Sequence, residues 1–303
     1  LSDLYKLAMD SVRRNQEGVA PLMPLIRQLE AAKTNKQLLD IQLSLAPYGE
    51  QEFFRAGFGA DEKNATQNIL NISQGGLSLG QKEYYLDSDK ATADIREAFK
   101  KHVVKMFQLF GFSQGQATKK MQNIMRVETE LAKVSKSRTE LRDPEANYNK
   151  MTLKEFVKNY PNLPLEQVMN AGGVESKYLQ DMIVGQPAFL EGANKLVGTL
   201  KPAEYRDVME WGFISGAANY LSDDVVAESF DFNGRIRSGR KENFPLWKRS
   251  TSQVERVMGE ALGRIYAEKY FPESSKQRMA TLVKNLQIAL GERIAAQDWM
   301  DDS

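Results

Sequence analysis

Apolar residues recur at helical spacing along almost the whole chain while strand signals are few, and this restricts the fold to a mainly helical one. Leu22, Leu25, Ile26 and Leu29 form one stripe, and Leu38, Leu39 and Leu43 resume it after a polar break at Thr34 and Asn35. Pro21 suits a first helical turn, so the two stretches read as a helical hairpin. Further stripes run through Ile95, Phe99, Val103, Met106 and Phe110, through Met121, Ile124, Met125, Glu128 and Leu131, and through Tyr205, Val208, Met209 and Phe213. The clearest helix starts at Ser250, where Ser250 and Gln253 stand at capping-box spacing, and stops before Pro272. Another follows from about Lys276. The best strand is Asn68–Ile72, closed by the turn residues Ser73 to Gly76. The predicted class is therefore mainly α: an irregular multi-helix lobe with one small β-hairpin or sheet. No repeat at solenoid spacing is present.

Four segments read as linkers: 142–150, 160–164, 171–175 and 230–245. The last gathers Arg235, Arg237, Arg240 and Lys241 around Gly234 and Gly239, and its ordinary reading is a mobile, solvated loop.

Much chemistry is excluded by what the chain lacks. With 41 Lys and Arg against 40 Asp and Glu the formal charge is +1, so no global field draws it to nucleic acid. No stretch approaches the roughly 20 apolar residues of a bilayer span, so no transmembrane segment is predicted. The absence of cysteine removes disulfides, thiolate catalysis and cysteine zinc sites. A single histidine, His102, rules out any site built from two imidazoles. His102 falls on the apolar stripe that begins at Ile95, which predicts a partly buried structural side chain. No phosphate-binding glycine loop or nucleophile elbow occurs. Asp223 with Asp224, and Asp298 with Asp301 and Asp302, lack the alternating ligands of a calcium loop and read as helix-end acids. Glu128 and Glu130, two apart on a helix, face different ways and cannot form a glycosidase pair. Asn64-Ala65-Thr66 and Asn71-Ile72-Ser73 match the glycosylation pattern, relevant only in a eukaryotic secretory pathway.

From Gly75 the chain carries a more specific signal. Gly75-Gly76-Leu77-Ser78-Leu79-Gly80-Gln81-Lys82-Glu83-Tyr84-Tyr85-Leu86 resembles the Gly-Leu-x-Leu-Pro-x-x-x-Tyr-Tyr segment of the neprilysin family of zinc metalloendopeptidases. Asp61-Glu62-Lys63-Asn64, with the strand and Gln74 behind it, is similar to the family's approach to that segment. Asp143-Pro144 with Tyr148-Asn149-Lys150-Met151-Thr152-Leu153, then Trp247-Lys248-Arg249, Gly263-Arg264-Ile265-Tyr266 and Ser275-Lys276, and finally Trp299-Met300-Asp301 resemble further family blocks in the same order. Two departures stand out: Gly80 replaces the usual proline, which should loosen the turn, and Ser250 replaces a cysteine common in animal members. Both resemble bacterial members.

The resemblance implies the N-terminal lobe of a two-lobed peptidase. It expects residues 1–246 to form a helical, access-limiting lobe and 247–303 to lead toward a catalytic domain that this chain does not contain. Zinc, the His-Glu-x-x-His helix and the general-base glutamate are expected in that domain, so no catalytic or metal residue is assigned here, and substrate-binding residues stay unassigned. The implied partners are the C-terminal catalytic domain of the same polypeptide and short peptide substrates, with no nucleic acid. The chain alone is expected to be inactive and zinc-free, and to self-associate through apolar surface that its partner covers. The periplasm or cell envelope is the implied location, the cytoplasm the alternative. The competing function is a stand-alone helical module that binds a peptide or protein.

Overall fold

In the computed structural model, which describes residues 1–48 and 53–298, four helices open the chain. They are α1 (Ser2–Met9), α2 (Ser11–Glu17), α3 (Met23–Ala31) and α4 (Asn35–Leu45). The predicted hairpin is α3 and α4. The polar break is the start of α4: Thr34 Oγ1 accepts the Gln37 amide and the Gln37 side chain accepts the Thr34 amide, both at 3.3 Å. Pro21 lies ahead of α3, and Pro24 is the proline in its first turn.

The predicted strand lies within a hairpin of β1 (Phe54–Asp61) and β2 (Asn64–Gln74). It belongs to a larger sheet than the local pattern suggested. Two strands of four residues, β3 (Asn149–Thr152) and β4 (Asp181–Val184), complete the order β1-β2-β4-β3, with β4 parallel to β2 and antiparallel to β3. Between the hairpin and β3 come α5 (Glu83–Leu86), α6 (Lys90–Leu109) and α7 (Gln114–Val134). After β3 follow α8 (Leu153–Asn159) and α9 (Leu165–Ala171), and after β4 come α10 (Pro187–Thr199), α11 (Pro202–Ala217) and α12 (Asp223–Phe230).

The Tyr148–Leu153 motif ties sheet to helix. Tyr148 donates its hydroxyl to Asp61 at 2.9 Å, and Asn149 donates to the Val184 carbonyl at 3.0 Å. Thr152 then caps α8, accepting the Glu155 amide at 3.2 Å while Glu155 accepts the Thr152 amide at 2.8 Å.

All of these elements except α1 fall in one compact unit, Val12–Asn243, whose core joins the inward faces of α6, α7, α10 and α11 to the sheet. Phe99, Met106, Phe107, Ile124, Phe156 and Phe189 are among its fully buried side chains. The 230–245 segment is less solvated than predicted. After α12 the backbone continues as a π-helix over Asp231–Ile236, with Phe232 and Gly234 buried. Gly234 is required there, because a Cβ would fall 2.2 Å from the Phe230 ring.

The second unit combines Leu1–Ser11 with Phe244–Ser303. It contains α1, α13 (Leu246–Tyr270) and α14 (Glu273–Ala295), with α1 packed on α13. Helix α13 starts four residues before the predicted Ser250: Pro245 is its N-cap, and Ser250 is a buried residue inside it. Non-helical angles at Met258 kink it. Pro272 separates α13 from α14 as expected. Trp299-Met300-Asp301 lies outside the described residues. Among the described residues no helix is long and apolar enough to cross a membrane.

Candidate functional site

The glycine segment after β2 is positioned by backbone that strongly favours glycine. Gly76 and Gly80 have φ of +76° and +80°, in the left-handed region. The turn closes through the Gly80 amide, which donates to the Leu77 carbonyl at 2.9 Å. Gly80 is thus more than a loosened proline position, since proline is confined to φ near −65° and cannot adopt this angle. The turn buries Leu79 and presents Ser78 to α7.

Glu128 of α7 receives it. This carboxylate is 2% exposed and accepts the Ser78 hydroxyl at 2.6 Å, the Ser78 amide at 3.3 Å and the Tyr85 hydroxyl. The Tyr85 hydroxyl in turn accepts the Leu79 amide at 2.9 Å, and the Ser78 hydroxyl accepts Trp211 Nε1 of α11 at 2.8 Å. No cation pairs with Glu128 among the described residues. Burial therefore pushes its carboxyl up to about 7, against the pull of the Ser78 and Tyr85 hydrogen bonds. Burial, and then the Glu128 charge, hold the Tyr85 hydroxyl well above its ordinary range. One buried acid so links α5, α7, α11 and the glycine turn.

Two turns earlier on α7, Lys120 fills a pocket of carboxylates. Its ammonium lies 2.6 Å from Glu30, 3.0 Å from Asp207 and 2.6 Å from Glu210, and 4.6 Å from the Phe112 ring centre. Arg206 pairs with Glu30 and Asp207 at 3.2 Å, and Asn123 donates to Asp207 at 2.7 Å. Burial opposes a charged lysine here, yet the carboxylates prevail and hold Lys120 above its usual range. The oxygens of Glu30, Asp207 and Glu210 all lie within 4.8 Å of one another, a spacing suited to a metal. The donor set does not fit zinc, however: it is all carboxylate, lacks histidine and cysteine, and already holds an ammonium between its oxygens.

His102 is buried, as its place on the apolar stripe predicts. Its Nδ1 lies 2.8 Å from Glu228 of α12, its ring stacks on Phe232 at 4.8 Å, and Trp211 meets it edge-on. Glu128 and Glu130 diverge as predicted: Glu130 points outward to Lys133. Asp223 and Asp224 are the acids of the first turn of α12. Asp224 accepts the Val225 amide at 2.8 Å and Asp223 accepts Asn15 at 2.8 Å. Asp301 and Asp302 lie outside the described residues. In the basic segment, Arg237 donates to the Leu79 carbonyl at 3.2 Å, which fastens the π-helix to the glycine turn, and Arg240 covers the Phe230 ring at 5.3 Å.

The Lys120 cluster and the Ser78–Glu128 bond escape a local reading. One signal was available: Lys120 precedes Ile124 by one turn on an apolar stripe, and Asp207 and Glu210 flank Val208 and Met209 on another.

The model of Peptidase family M13 matches residues 1–303. Endothelin-converting enzyme 1 of Cavia porcellus is 26% identical over 308 residues, covering 98% of this chain and 41% of that protein. The neutral endopeptidase of Lactobacillus helveticus is 26% identical over 305 residues, covering 99% and 45%. The solved Mycobacterium tuberculosis zinc metalloprotease ZMP1 in complex with inhibitor superimposes with a TM-score of 0.89 at 28% identity, covering 99% of this chain and 45% of that one. The chain thus spans less than half the length of the proteins it matches.

Proposed function

This chain belongs to peptidase family M13, the neprilysin family of zinc metallopeptidases, and from that premise we propose that it is the N-terminal, non-catalytic portion of a peptidase that hydrolyses short peptides. In this reading the lobe encloses the substrate cavity and limits the size of what enters. The zinc belongs to the portion of the polypeptide beyond this span, where it would supply Lewis-acid activation of water. The observation that carries the reading is the family match over all of the chain combined with coverage of less than half of each relative.

A feature of the second unit supports a further element or partner that covers it. Helix α14 has no buried residue, and Met279, Leu282, Val283, Leu286 and Leu290 stand exposed along it at helical spacing. We assign residues 1–246 to the access-limiting lobe, of which Val12–Asn243 is the compact part, and 247–303 to the segment leading into the catalytic domain. The periplasm or cell envelope is the proposed compartment, testable by fractionation.

The deciding experiment takes the intact native gene product and this 303-residue chain side by side, measuring mass, zinc content and cleavage of a ladder of peptides of rising length. The native product should be about twice as large, hold one zinc and cleave only the shorter members, while the chain alone does neither. A native product of this size, zinc-free and inactive, would leave the stand-alone binding module instead. Cleavage that is indifferent to peptide length would refute the access-limiting role.

A further inference from the structure

A cavity of about 230 Å³ lies between α6, α11 and the π-helix, with His102, Trp211 and Phe232 in its walls. An apolar protein cavity of about 150 Å³ holds benzene, so this one has room for an aromatic ring and one or two more heavy atoms. Phe99, Met106, Trp211 and Phe232 provide the apolar part of the lining, Ser78 and Ser229 add hydroxyls, and no lysine, arginine, aspartate or glutamate is among the lining residues. An ionic guest would therefore meet no opposite charge inside.

The polar groups narrow the class further. Glu228 can only accept as a carboxylate, so a neutral His102 bonded to it at 2.8 Å carries its hydrogen on Nδ1 and leaves Nε2 as an acceptor. Nε2 has no partner among the described residues, and His102 is one of the residues that line the cavity. The ring is fixed from three sides, by Glu228, by stacking on Phe232 and by the edge of Trp211. Trp211 is itself fixed by Ser78. One wall is the π-helix, an irregularity that is rare in proteins and concentrated at functional sites. Ser215 and Asn233, both exposed, mark the mouth.

We propose that this cavity is a binding site for a neutral, ring-sized aromatic group bearing a hydrogen-bond donor, a phenol, whose hydroxyl donates to His102 Nε2. The phenol is either a free small molecule or the tyrosine side chain of a peptide; both present the same ring and hydroxyl. The site stands on this chain's geometry and does not depend on the peptidase reading.

The test uses the full chain and its single histidine, whose imidazole gives one Hε1 NMR signal. Titration with p-cresol should shift that signal saturably. Toluene, which lacks the donor, should bind about 3- to 10-fold more weakly, the worth of one net hydrogen bond. Ser215→Leu at the exposed mouth should abolish binding without touching the core. His102→Phe, followed by saturation transfer to the ligand, should erase the preference for p-cresol over toluene. A parallel titration with N-acetyltyrosinamide separates the sources: binding by both molecules assigns a tyrosine side chain, and binding by p-cresol alone assigns a free phenol. The absence of a saturable shift, or binding that survives Ser215→Leu, would overturn the site. Equal affinity for toluene and p-cresol would overturn the role of Nε2.

Discussion

Replacing Glu128 with glutamine should change how stability depends on pH far more than how much stability there is. The carboxyl titrates at about 7 in the folded protein, against an ordinary value of 4.5. Because the folded value is raised, the stabilising contribution is fully present below pH 4.5 and is lost as pH rises through 7. Between pH 5 and pH 8 this one group should withdraw about 2–3 kcal/mol from the native state. The Glu128→Gln variant has no proton to lose and should lack that part of the decline. Its amide can still accept from the Tyr85 hydroxyl, but the Ser78 hydroxyl loses an acceptor, a loss of about 1 kcal/mol. The variant should therefore be the less stable protein at about pH 4 and the more stable one at about pH 8, with the curves crossing near pH 5. Urea unfolding of both proteins at several pH values, followed by far-ultraviolet circular dichroism, measures the difference directly and cancels every other titrating group. Parallel stability curves across that range would refute the buried, high-titrating carboxyl.

Two further substitutions probe the surroundings of the glycine turn and the charge cluster. Lys120→Met leaves Asp207 and Glu210 buried beside one remaining cation, and should cost about 3–5 kcal/mol in urea unfolding; a loss below 1 kcal/mol would mean that the carboxylates find other partners. Gly80→Pro restores the residue usual at this position of the family motif, yet it should lower the melting temperature rather than raise it, because φ is +80° here. A higher melting temperature would show that the turn readily adopts another path.

The helices of the core were legible because each buries one face along a run long enough to show its period. Phe99, Val103, Met106 and Phe107 of α6 are buried as their spacing predicts. Strands β3 and β4 were not legible, since four residues show no useful alternation and each is stabilised by partners distant in sequence, as where Met182 lies opposite Leu70. The same distinction separates His102 from Glu128. The burial of His102 follows from its own stripe, whereas the meaning of Glu128 lies in Ser78 and Tyr85, which only the fold brings to it. The start of α13 differs from the sequence expectation because Ser250 and Gln253 imitate a cap, while Pro245 holds the position in fact. The family segment was recognisable as a string of residues, but its dependence on left-handed glycines and on one buried acid is visible only in three dimensions.

The pairing of α1 with α13 also sets a timetable for synthesis. Leu1–Ser11 leaves the ribosome long before Phe244 is made, and the whole of Val12–Asn243 intervenes. At about 5–20 residues per second, α1 waits on the order of 10 to 50 s for the helix it packs against. The intervening unit has its own core and can fold during that interval, so the nascent chain should carry a finished middle between an unpaired beginning and an unfinished end. Protease protection in stalled ribosome complexes would then appear first for Val12–Asn243 and reach α1 last, against the order in which the residues are made.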